Sequence, residues 1–74
     1  MYNLESYELE RICERFNKEL ENWSYESWIS SSSSEREEIV QNVLDDIEFG
    51  WVMEEELYEV FEDWCSGVDE TYFN

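Results

Sequence analysis

The run SEREEIVQNVLDDIEFGWVMEEELYEVFEDWC, residues 34–65, decides the fold. It holds two helical periods separated by a glycine. Ile39, Val40, Val43, Leu44 and Ile47 recur at steps of three and four, which gathers them on one stripe of a helix over residues 35–48. Phe49 falls off that stripe, and Gly50 follows as a C′ residue tolerant of positive φ. Met53, Leu57, Val60, Phe61 and Trp64 form the apolar face of a further helix that Gly67 ends. At the start of the run, Ser34-Glu35-Arg36-Glu37 fits a capping box, the serine bonding the N3 amide and the glutamate reaching back.

Upstream, Leu9, Ile12, Cys13, Phe16, Leu20 and Trp23 make a third amphipathic stripe, with Asn3 as its N-cap and Arg11, Arg15 and Lys18 on the opposite side. A serine-rich joint at residues 24–34 carries one apolar knot, Tyr25, Trp28 and Ile29, which reads as a single helical turn tucking Trp28 inward. Residues 68–74 form a tail whose Tyr72 and Phe73 either fold back or face a partner. No proline interrupts the chain. The expected architecture is all-α: one domain over residues 1–74, a small three-helix bundle with a short extra helical turn.

A core drawn from 74 residues is small. Such chains commonly lean on disulfides, metals or oligomerisation, which leaves a homodimer open. The apolar fraction of 42% and aromatic fraction of 18% exclude a disordered acidic tail, which would lack aromatics. Charge is the extreme feature. Twenty-one acids face 4 bases and no histidine, a net charge of −17, whereas solubility needs only about 2–8 charges in a small domain. Self-repulsion of this size destabilises a compact state, so the excess points to a partner. Direct nucleic-acid binding and anionic membranes are disfavoured. A basic protein is the expected partner, and a nucleic-acid-binding enzyme or complex fits it best.

The carboxylates are unevenly divided. Residues 1–36 hold 8 acids and all 4 bases, and residues 37–74 hold 13 acids and no base. In the last helix Glu55, Glu59 and Glu62 point away from the apolar stripe, flanked by Glu54, Glu56 and Asp63. Six carboxylates in ten residues span about 15 Å at ~1.5 Å per residue. That is one charge per roughly 2.5 Å, between the ~1.7 Å of duplex DNA and the ~3.4 Å of a single strand. In the preceding helix Glu38 and Asp45 point outward, with Glu37, Asp46 and Glu48 on the shoulders. Acids in a last turn, expected for Asp45, Asp46, Glu48, Glu62 and Asp63, oppose the helix dipole at about 0.3–1 kcal/mol each. These are the candidate partner-binding residues. Tyr58 joins them as an exposed aromatic hot spot beside Glu55, Glu59 and Glu62. Tyr2, Tyr7, Tyr25 and Tyr72 also lie off the stripes, and Trp51 sits at the helix junction.

Other chemistry is poorly supplied. Without histidine, nucleophile–base pairing or a glycine-rich phosphate loop, no catalytic residue is assigned and a non-enzyme is expected. Cys13 and Cys65 lie on or beside apolar stripes as structural thiols, pairing only if the helix ends meet. Neither a zinc pattern nor an EF-hand spacing occurs, so no metal or cofactor is expected. Residues 1–17 carry four glutamates and no continuous apolar core, and no run reaches the roughly 18 apolar residues of a membrane span. A cytoplasmic protein is expected.

In size, charge and the carboxylate rows of residues 37–48 and 54–63, the chain resembles the small acidic proteins with which bacteriophages imitate DNA. These block restriction enzymes, CRISPR effector complexes or other host nucleic-acid enzymes. The resemblance implies an anti-restriction or anti-CRISPR inhibitor competing with DNA for a basic groove. The chain is also similar to helical immunity proteins that neutralise nuclease toxins, whose loop before an acidic helix is like residues 30–38. That likeness implies one dedicated toxin partner. An acidic adaptor or chaperone for basic proteins is the remaining alternative.

Overall fold

The computed structural model describes residues 4–73. Four helices follow one another: α1 at Ser6–Glu19, α2 at Tyr25–Ser30, α3 at Ser33–Leu44 and α4 at Glu54–Gly67. Short 3-10 turns lie at Leu20–Asn22, Ile47–Phe49 and Glu70–Tyr72. Among the described residues there is no strand. The helices α1, α3 and α4 make the three-helix bundle, and the six-residue α2 is the extra turn that the serine-rich joint predicts.

Serine and glutamate caps set where the helices begin. The backbone N–H of Glu5 donates to the Glu8 carboxylate at 2.9 Å, so Glu5 caps α1; Asn3 lies outside the described residues. The cap of α3 is Ser32 rather than Ser34. Its Oγ accepts from the Glu35 N–H at 3.3 Å, and Glu35 Oε1 accepts from the Ser32 N–H at 3.1 Å. Two overlapping S-x-x-E boxes compete here, and tertiary contacts select the earlier. In that register the Arg36 guanidinium donates to the Trp28 carbonyl at 2.5 Å and to Ser31 Oγ at 2.7 Å. It also stacks 4.3 Å from the Trp28 ring. One cation thereby closes the C-terminus of α2 and pins Trp28 into the core.

The end of α3 departs further from the periodicity. The helix stops at Leu44, and Asp46 takes an extended backbone from which its carboxylate accepts the Glu48 N–H at 3.0 Å. The chain therefore does not continue the stripe. Ile47 turns out to solvent at 94% exposure, while Phe49 turns in at 5%. The exchange buries the larger side chain. Gly50 sits at φ −62°, so the left-handed C′ expectation is also corrected. Val52 enters the core, and Met53, expected on the apolar face, is exposed.

Phe16 occupies the centre of the bundle with no exposure, its ring edge-on to Phe61 at 5.5 Å and tilted against Trp64 at 5.1 Å. The Trp64 indole N–H is satisfied by Asn17 Oδ1 at 2.8 Å, as a buried indole requires. A second aromatic group surrounds Trp28, with Trp23 at 5.4 Å, Trp64 at 5.7 Å and Phe73 at 6.3 Å. The tail thus folds back through Phe73, which also meets Tyr25 at 5.8 Å. Ile29 stays outside this group and is exposed. Cys13 and Cys65 are free, half-buried thiols.

Candidate functional site

The helices α3 and α4 run antiparallel, as their cross-contacts fix. Gln41 Nε2 donates to the Tyr58 hydroxyl at 2.9 Å, and one turn away Glu37 and Glu62 line the same cleft. That cleft of about 250 Å³ is also lined by Phe61, Tyr58, Arg36 and the half-buried Cys65. Tyr58, read as exposed from its spacing, is half-buried there. Two helices thus present carboxylates on either side of an aromatic strip.

On α4 the carboxylates of Glu54, Glu55, Glu59, Glu62 and Asp63 are exposed and that of Glu56 is half-exposed. Glu54, Glu55 and Glu56 occupy the first turn, where the dipole favours them. Because α4 extends to Gly67, Glu62 and Asp63 stand one turn short of its end. The dipole acts mainly within the last turn, so the penalty expected for this pair is corrected. On α3 Glu37 and Glu38 are exposed, and Asp45 is the exposed C-cap. Of the five acids expected in a last turn, Asp45 alone takes the unfavourable dipole position.

Asp46 and Glu48 lie beyond α3, not in its last turn. Asp46 pairs with a base from the other half of the chain: Arg15 Nε donates to its Oδ2 at 3.1 Å. The Glu48 N–H and then Arg15 hold its carboxyl below the usual aspartate value. Arg15 Nη1 also donates to Glu19 at 2.6 Å, and Asn42 of α3 donates to the other Glu19 oxygen at 2.6 Å. Arg11 lies 5.9 Å over the Phe49 ring. Three arginines are therefore engaged in binding the bundle together, and α1 supplies part of the charge balance that α3 lacks.

Exposed carboxylates beside aromatic side chains can meet cationic groups. Burial pushes the Cys65 thiol up to about 11 and raises that of Cys13, so both stay protonated at neutral pH and are poor nucleophiles. Among the described residues no cluster of three or more metal-ligating side chains forms. No described helix is long and apolar enough to cross a membrane.

Spacing missed the exposed Ile47 and Met53. The available signal was Asp46, an N-cap residue type that restarts the chain within an otherwise continuous stripe. Compared with known protein families, characterised proteins and solved structures, the chain matches none of them.

Proposed function

We propose that this chain is a non-enzymatic inhibitor that imitates the charge of DNA. It would occupy the basic nucleic-acid-binding surface of a nuclease or other DNA-binding complex in a bacterial cytoplasm, as anti-restriction and anti-CRISPR proteins do. The observation that carries this reading is the exposed carboxylate row of α4, continued by Glu37 and Glu38 of α3, while Arg15 and Arg36 are half-buried and bonded within the fold and Arg11 lies over the Phe49 ring. A basic groove meets there a charge density comparable to that of nucleic acid. Each arginine or lysine that exchanges a phosphate for a carboxylate keeps a charge-assisted partner.

The test is competition on an inhibited nuclease. Added duplex DNA is expected to displace the protein, and Glu55→Gln with Glu59→Gln and Glu62→Gln is expected to weaken binding and flatten its salt dependence. A ternary complex with DNA at undiminished affinity overturns imitation of the DNA path. That outcome favours the second reading, an immunity-type partner of one basic toxin. The exposed apolar side chains between α3 and α4 support this alternative, because imitation of phosphate charge has no use for them.

A further inference from the structure

The connection between α3 and α4 holds large apolar side chains in water. Ile47 is 94% exposed, Met53 62% and Trp51 41%, all within seven residues. Single exposed apolar residues are ordinary, but several at one end of a small domain form a patch. The pairings of Arg15 with Asp46 and of Arg11 with Phe49 set α1 antiparallel to α3, so the N-terminal turn of α1 reaches the same end. That turn carries Tyr7, also 62% exposed.

This segment is held in place. Asp46 is fixed by Arg15 and by the Glu48 N–H, and Phe49 is packed into the core. The Trp51 indole N–H donates to the Glu48 carbonyl at 2.7 Å. The apolar groups are thus presented on a backbone already ordered, which lowers the entropy cost of binding. Exposed carboxylates of Asp45, Glu48, Glu54 and Glu55 flank them in the chain. An apolar centre with a charged rim is the anatomy of a protein interface.

We infer that the α3–α4 connection is an apolar anchor that inserts Ile47, Trp51 and Met53 into a hydrophobic pocket bordered by lysine or arginine on a partner protein. The inference rests on the reading that the partner is basic. It goes beyond that reading because imitation of DNA charge requires no apolar contact. Charge decides against a second copy of this chain as occupant. Each copy carries −17, and a symmetric pairing through this tip would set one acidic rim against the other.

Two peptides with equal numbers of lysines test the anchor on the full chain: a helical leucine–lysine amphipath and a flexible glycine–lysine peptide. The amphipath is expected to bind at least about tenfold tighter, with amide shifts centred on residues 47–53. Ile47→Ser with Met53→Ser is expected to reduce its affinity to that of the flexible peptide. Because both side chains are exposed, the melting temperature should hold, which a thermal melt verifies. Equal affinities for the two peptides, or an advantage that survives the double variant, overturns the anchor and leaves the basic-partner reading intact. A dimer in sedimentation that Ile47→Ser dissociates overturns it in favour of a second copy. Failure of both peptides to bind overturns the anchor together with the basic-partner reading.

Discussion

Arg15 Nε donates to Asp46 Oδ2 at 3.1 Å, joining the middle of α1 to the turn that follows α3. This contact changes what neutralising the adjacent aspartates does. From sequence, Asp45→Asn and Asp46→Asn would both relieve repulsion at a helix end. In the fold they have opposite roles.

Asp46→Asn is expected to lower the melting temperature by a few degrees. Asparagine still accepts the Glu48 N–H, so the loss isolates the ion pair, and it should disappear in an Arg15→Ala background. Asp45→Asn, at the exposed C-cap of α3, is expected to leave stability unchanged or raise it slightly. Thermal melts of the single and double variants check both signs.

The same pair predicts a pH dependence. At Glu19 burial pushes the carboxyl up, but hydrogen bonds from Arg15 and Asn42 outweigh it and leave it below its ordinary 4.5. At Asp46 the Glu48 N–H and Arg15 hold the carboxyl below its ordinary 3.8. A carboxylate depressed in the folded state contributes stability that is complete above its unfolded pKa and lost as pH falls through the folded one. The advantage of the parent protein over Asp46→Asn should therefore persist from pH 7 down to about 4 and vanish below it. Paired melts across that range measure it.

Arg36→Lys is expected to cost about 1–2 kcal/mol although the charge is kept. Lysine cannot bond the Trp28 carbonyl and Ser31 together while lying flat on the indole, as Arg36 does. Urea unfolding gives the stability change. A shift in tryptophan emission at low urea would locate the loss at α2.

Phe16→Ala removes the ring that Phe61 and Trp64 pack against, at a typical cost of about 3–5 kcal/mol. A domain of this size has only about 3–5 kcal/mol to lose. The variant is expected to show no cooperative thermal transition, as calorimetry would reveal.

Salt should stabilise the free protein. With a net charge of −17, self-repulsion across α3 and α4 outweighs the attraction between Arg15 and Asp46. The Debye length falls from about 10 Å at 0.1 M to about 3 Å at 1 M, which screens the repulsion. The melting temperature is expected to climb over that range of sodium chloride. A fall would mean that the exposed carboxylates are balanced within the fold.

Local order made the fold class legible. The stripes that run through Ile12, Val43 and Leu57 each repeat at helical spacing, so three amphipathic helices and their common core follow from the chain itself. The carboxylate excess was legible too, because charge adds up without regard to fold. The positions of several acids were not. Nothing near Ser34 reveals that Arg36 will reach back to the Trp28 carbonyl and select Ser32 as the cap. Nor does the stripe ending in Ile47 disclose that Arg15, thirty-one residues before Asp46, will hold the break after Leu44. Helical periodicity is a property of neighbours along the chain, and the sequence by itself determined the helices and their total charge. Where α3 begins and ends, which aspartate is paired and that Ile47 faces water were decided only by contacts between distant segments.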